Sequence, residues 1–171
     1  RYISVEKHPT EELYIYNYTQ KAQYEYLWNE HTETCRGLIK DGNGFVIARP
    51  FRKFFNLGQD TVLPIQDFEV YEKMDGSLGI LYWIGEVPYI ATRGSFVSEQ
   101  SKRATTLLHT KYRHTWENLG KDKTYLFEVI YPQNKIVVDY GELEDLILLA
   151  VIDTRYGIDH TLEDVGFPIV K

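Results

Sequence analysis

The stretch Glu72-Lys73-Met74-Asp75-Gly76-Ser77-Leu78 reads Lys-x-Asp-Gly-Ser and lies between two strand-like runs, residues 68–73 and 78–84. In the first run Phe68, Val70 and Glu72 share one face, and Glu69, Tyr71 and Lys73 share the other. The second run is more apolar. The spacing predicts an antiparallel pair joined at Asp75-Gly76, with Lys73 held at the stiff end of a strand. Such an amine can be kept at one point while it attacks an electrophile. Gly76 has no Cβ, so backbone there can come close to a phosphate or a ribose. A hairpin turn of the Asp-Gly kind, with an exposed lysine beside it, accounts for the same residues. The stretch alone does not separate the two readings, and the remaining sequence has to.

Working upstream, residues 13–18 are dense in strand formers, and residues 21–30 suit a short amphipathic helix or a turn. Residues 37–40 and 45–49 flank Asp41-Gly42-Asn43-Gly44, a hairpin signature, and Pro50 ends the second strand or makes it an edge. From Arg36 to Lys53 the cations Arg36, Lys40, Arg49, Arg52 and Lys53 face one acid, Asp41, although the whole chain carries a net charge of −6. This local reversal of sign, interleaved with Phe51, Phe54 and Phe55, reads either as a solvated edge face or as a phosphate-facing wall with a ring for a base.

Downstream, residues 88–92 form a third strand. Ser98 then caps a long helix whose stripe Ala104, Leu108, Tyr112, Trp116 runs toward a stop at Gly120. His109 and His114 lie five apart on that helix, off a common face, and no zinc, His-Glu-x-x-His or Walker spacing occurs. Residues 125–131 form a strand in which Glu128 shares a face with Leu126 and Ile130. A carboxylate in that company needs a partner or a task. Strands at 136–138 and 146–152 follow, and residues 161–165 start a last helix. The pattern is α+β: antiparallel pairs with one major helix.

At 171 residues, 43% hydrophobic and 26% charged, the chain has the size and composition of one globular domain. Fourteen tyrosines, eight phenylalanines and three tryptophans favour sheets. The single cysteine, Cys35, excludes an intramolecular disulfide. No apolar run approaches a membrane span and no signal peptide is visible. The chain begins with arginine and its one methionine is Met74, so it reads as a piece of a longer protein.

Together these pieces resemble the adenylyltransferase domain of the RNA ligase 1 family, the type found in T-even phages. That family belongs with the covalent nucleotidyltransferases, which include DNA ligases and mRNA capping enzymes. Lys73-Met74-Asp75-Gly76-Ser77-Leu78 is similar to the motif that carries the nucleophilic lysine. Tyr14-Ile15-Tyr16-Asn17-Tyr18 resembles the family's tyrosine-rich strand, and Cys35-Arg36-Gly37-Leu38 its Cys-Arg-Gly segment. Arg49-Pro50 with Lys53-Phe54-Phe55-Asn56-Leu57 resembles a further segment. Thr92-Arg93-Gly94-Ser95-Phe96 with Ser98-Glu99-Gln100, then Phe127-Glu128-Val129 with Pro132-Gln133-Asn134-Lys135-Ile136-Val137, then Leu148-Leu149-Ala150-Val151 continue the match. One departure stands out. The family goes on to a Glu-Gly motif and a two-lysine motif that line the nucleotide pocket, and neither occurs before Lys171. The resemblance thus implies that residues 1–171 are an adenylyltransferase domain cut short before the last two nucleotide-binding motifs.

What the resemblance implies about chemistry is specific. Lys73 takes AMP from ATP, AMP passes to a 5′-phosphate RNA end (a tRNA among the candidates), and a 3′-hydroxyl displaces it. Lys73 must be deprotonated, helped by partial burial and neighbouring cations. Arg36, Lys53 and Arg93 would offset phosphate charge. Phe55 would stack on adenine, Tyr16 and Gly76 would touch the nucleotide, and Glu128 would serve the ribose or a hydrated metal. Magnesium or manganese is expected, with ligands that sequence does not assign. The implied location is intracellular: cytoplasmic, or host cytoplasm for a phage gene. A DNA ligase, a GTP-using capping-type enzyme, and a non-catalytic nucleotide-binding domain of the same fold stand as alternatives.

Overall fold

In the computed structural model, which describes residues 1–59, 62–63 and 65–171, the chain forms two antiparallel sheets and one helix of more than two turns. The first sheet has the order β1-β2-β3-β4, built from Ile3–Lys7, Leu13–Tyr18, Arg36–Asp41 and Val46–Ala48. The second has the order β6-β5-β7-β8-β9, where β5 is Ser77–Ile84, β6 Val87–Ala91, β7 Lys123–Ile130, β8 Asp145–Asp153 and β9 Asp159–His160. The α+β expectation is met.

The central strands of the second sheet are covered on both faces, which is why they read as nearly continuous apolar runs. Ile80, Tyr82, Leu126 and Ile152 meet Leu13, Ile15, Ile39 and Ala48 of the first sheet in one core. On the other face Leu81, Phe127, Val129 and Leu148 pack under Ala104, Leu107 and Leu108 of the helix α3, Glu99–His109. Residue alternation along β5 and β7 thus supplies two cores from one sheet, and the molecule is layered sheet, sheet, helix. A third, smaller core gathers Ile130, Ile147 and Val170 near the end of β7.

Ser98 caps α3 by accepting from the Ser101 N–H at 3.2 Å, as its sequence position suggests. The expected long helix, however, is two pieces. It breaks at Thr110 and resumes as a 3-10 turn, Arg113–Asn118. The Thr106 and Thr110 hydroxyls donate back to the Lys102 and Thr106 carbonyls at 2.9 and 2.7 Å, and such back-bonding weakens a helix end. Trp116 keeps its place against the core by donating its indole N–H to the Leu108 carbonyl at 3.0 Å. Residues 21–30 similarly divide into α1, Gln20–Tyr24, and α2, Glu30–Thr34. Between them Tyr26 has φ 53°, and Asn29 caps the second.

Three expected elements do not form. Residues 68–73 are exposed and outside any ladder. The reason is geometric: β6 takes one edge of β5 along residues 80–84 and β7 takes the other along residues 77–80, so neither edge is open over the length a strand at 68–73 would need. Residues 136–138 fail for a related reason. β7 is bracketed by β5 and β8, and the Val137 and Val138 N–H groups instead both donate to the Asp75 carboxylate at 2.6 Å. Residues 161–165 are not helical. Gly166, with φ 99°, and Pro168 follow at once, and the chain returns along β8, where Leu148 bridges Ile169 in parallel. Among the described residues no helix is long and apolar enough to cross a membrane.

Phe127, fully buried with its ring 4.7 Å from that of Phe167, sits where sheet meets helix. Phe127→Ala is expected to cost about 3–5 kcal/mol of stability, read as a shift in urea midpoint at unchanged slope.

Candidate functional site

Gly76 begins the site because it lies directly on β7. A Cβ built on it would come within 2.6 Å of the Val129 carbonyl oxygen and 3.2 Å of the Glu128 Cγ. Only glycine permits that approach, so the close contact that the turn requires is first of all to protein backbone. The Gly76 N–H donates to Glu128 Oε1 at 2.7 Å. Ser77 and Asn134 exchange a bond at 3.0 Å, and Asn134 also donates to the Val129 carbonyl at 3.0 Å. The turn after Lys73 is thereby tied to the strand that carries the carboxylate.

Around this turn a cleft of about 1480 Å³ opens between the ends of the two sheets. Lys73, Gly76, Arg36, Arg93 and Glu128 all line it, from four separate parts of the chain. Lys73 stands exposed on this cleft, where partial burial was expected. Arg36, at the start of β3, is half-buried with its guanidinium 5.0 Å above the Phe54 ring, and its buried Nη1 has no partner among the described residues. Arg93 follows β6 and donates to the Tyr18 hydroxyl at 3.1 Å. Burial, and then the neighbouring Arg93, hold the Arg36 guanidinium below its ordinary value. Two cations crowded into a half-buried place favour an anionic occupant that offsets both.

Glu128 reports the same crowding from the other sign. Burial raises its carboxyl above the ordinary value. The Gly76 N–H, Lys73 and Arg36 pull it back down, while Asp75 raises it further. The carboxylate and the cations therefore sense one another across the cleft. Among the described residues no three carboxylate, imidazole or thiol side chains cluster as a metal cage. The carboxylates that line the cleft are Glu69, Glu72, Glu128 and Asp159, and Glu128 is the one hydrogen-bonded to the lysine turn.

The other residues singled out from the sequence lie elsewhere. Phe55 packs with Tyr26 and Trp28 outside the cleft, and Lys53 sits between Trp28 and Phe55, with Nζ 5.3 and 4.9 Å from their ring centres. Tyr16 is on the face of β2 opposite Ile15, beneath the Lys40 ammonium at 5.7 Å. The rings that do line the cleft are Phe51, Phe54 and Tyr71, with the His160 imidazole. Arg49 has a structural part, donating to the Thr154 and Arg155 carbonyls at 2.9 and 3.1 Å.

Asn17 lines the cleft and escaped sequence reasoning. A bulge between Tyr16 and Asn17 resets the alternation of β2, and bulges of this kind re-aim a side chain without leaving a sequence signature. The choice of Phe54 over Phe55 depends on an irregular segment with no period to read.

The RNA ligase family matches residues 34–163, the greater part of the chain, and that span holds the lysine turn, both arginines and Glu128. The chain belongs to the RNA ligase family. It is 34% identical over 136 residues to a candidate RNA ligase of Thermovibrio ammonificans, covering 75% of this chain and 35% of that protein. An RNA ligase of Rhodothermus phage RM378 is 25% identical over 193 residues, covering 85% of this chain and 43% of that one. A candidate bifunctional polynucleotide kinase/RNA ligase of Autographa californica nuclear polyhedrosis virus is 29% identical over 150 residues, covering 72% of this chain and 22% of its own. The RNA ligase family chain described here thus spans less than half the length of each of these relatives.

The raised Glu128 carboxyl has a thermodynamic consequence. Above its ordinary value of 4.5, and up to its higher folded value, the folded state holds a proton that the unfolded state has lost, so stability falls as pH rises through that window. Glu128→Gln keeps an acceptor for the Gly76 N–H and carries no charge. Its melting temperature is expected to match or exceed the parent's at neutral pH, with the decline just above pH 4.5 flattened, as a thermal-unfolding series from acid to neutral pH would register.

Proposed function

We propose that this chain is the adenylyltransferase part of an ATP-dependent RNA ligase, with the fold of a covalent nucleotidyltransferase spanning residues 1–171. The observation that carries the reading is the convergence of Lys73, Gly76, Arg36, Arg93 and Glu128 on one cleft. ATP is the substrate that suits it: a polyphosphate for the arginine pair, and a ring for the Phe51 and Phe54 side.

In the first step the neutral Lys73 amine attacks the α-phosphorus. A nitrogen–phosphorus bond forms, the bond to pyrophosphate breaks, and the amine proton leaves to solvent or base. Arg36 and Arg93 neutralise charge that builds on the phosphate oxygens. Glu128 holds the turn through the Gly76 N–H, and its second oxygen, without a hydrogen bond among the described residues, would serve the ribose or water on a divalent ion. Magnesium or manganese, when bound, would supply further charge neutralisation. The 5′-phosphate oxygen of an RNA end then displaces Lys73 from AMP. Finally a 3′-hydroxyl attacks the phosphorus of the RNA 5′-phosphate; the new phosphodiester bond forms as the bond to AMP breaks, AMP leaves and the hydroxyl proton passes to solvent or base. Tyr16, Lys53 and Phe55, outside the cleft among the described residues, would serve through a rearranged 50–58 segment or through the RNA. ATP and phosphorylated RNA ends belong inside the cell, which is where the reaction is placed.

Incubated with ATP and magnesium, the full-length protein is expected to gain one adenylyl group by intact mass, mapped to Lys73, while Lys73→Ala gains none. Persistence of the adduct in that variant removes the assignment. GTP labelling in preference to ATP, or sealing of nicked DNA in preference to single-stranded RNA, would redirect the reading to a capping-type enzyme or a DNA ligase.

A further inference from the structure

The lysine turn lies outside every sheet ladder, so something other than a strand must keep Lys73 in place. Three successive residues after it are each held by a different group. Met74 packs against the third core, beside Tyr140, Leu149 and Leu162. Asp75 is held at two points: its N–H donates to the Tyr140 hydroxyl at 3.0 Å, and its carboxylate accepts from the Val137 and Val138 N–H groups at 2.6 Å each. Gly76 rests on β7 through Glu128. Lys73 precedes them, exposed on the cleft.

We propose that Tyr140, through the loop at 135–141, is a positioning residue for Lys73: it latches Asp75 and so fixes the direction in which the amine leaves the chain. Resting on the nucleophile reading of Lys73, this inference adds the residue that aims it. Two features argue for a dedicated device. First, Asp75 spends one carboxylate oxygen on two consecutive amides, and burial is not the cause, since the carboxyl is held below its ordinary value chiefly by those two N–H groups. Second, the loop is shaped for this contact. Ile136, Val137 and Val138 leave 60%, 79% and 43% of their surface exposed, so the segment is not there to fill a core. Lys135 and Asp139 brace it with an ion pair at 2.8 Å. A displacement of an attacking atom by about 1 Å costs on the order of a hundredfold in rate, so losing one of the bonds to Asp75 is expected to cost less, on the order of tenfold.

Tyr140→Phe tests this, because it removes the acceptor for the Asp75 N–H and keeps the ring in its core. The measurements are single-turnover formation of the lysyl adduct from ATP, and sealing of an RNA strand supplied already adenylylated, which does not use the Lys73 amine. Both use the full-length protein, with Tyr156→Phe, an exposed phenol, as control. Expected for Tyr140→Phe is adduct formation about tenfold slower at saturating ATP. The half-saturating ATP concentration, the sealing rate and the melting temperature should stay within about twofold or a few degrees of the parent. Unchanged adduct formation overturns the inference. So does an equal fall in both reactions, which would mark a structural role. Absence of any adduct in the parent protein is a different result: it removes the nucleophile reading itself, and the positioning role with it.

Discussion

The Gly76 N–H bond to Glu128 sits where the lysine turn runs into the β5–β7 ladder, one residue before Ser77 pairs with Val129. On one side is a turn without a ladder, and on the other a central strand covered on both faces. Because a side chain at position 76 would strike the Val129 carbonyl, the turn and the strand are in backbone contact, and the carboxylate is left beside the lysine. Placement of the cleft between the sheet ends follows from this contact. β5 departs from the turn, β7 carries Glu128, and Arg93 arrives from β6 on the far edge of β5.

Charge then organises what geometry has assembled. Arg36 and Arg93 crowd each other, and burial costs Glu128 its ordinary acidity. Left to themselves these groups are in mild conflict. On the proposed reading, a polyphosphate with a divalent ion would resolve it, the phosphates answering the guanidiniums and the cation the carboxylate.

How much of this was legible beforehand depended on what kind of signal each residue carries. Strands β2, β3, β5, β7 and β8 could be read because burial on one or two faces writes itself into the sequence as apolar runs, and Ser98 because a cap has a fixed chemistry. The Lys-x-Asp-Gly turn stood out by its spacing, Arg36 as part of a local basic run and Glu128 as a carboxylate among apolar neighbours, while Arg93 came through the family resemblance; the cleft brings them together. Residues 68–73 and 136–138 misled because alternation marks a chain able to pair, not one with a free edge to pair with. Tyr140 and Asn17 left no trace for different reasons: one acts through a hydroxyl on a main-chain N–H far away in sequence, the other through a bulge.

The double coverage of β7 bears on motion. Amides in the middle of Lys123–Ile130 are shielded by a sheet on one face and a helix on the other, and they belong with the last to exchange with deuterated solvent. Amides at 68–71 carry no ladder bond among the described residues and belong with the first. Lys73 lies between these two regimes: Glu72 before it donates its N–H to the Lys171 carbonyl, and the anchored turn and β5 follow it. A reactive group so placed can admit a large polyanion from one direction while keeping its own coordinates set from the other.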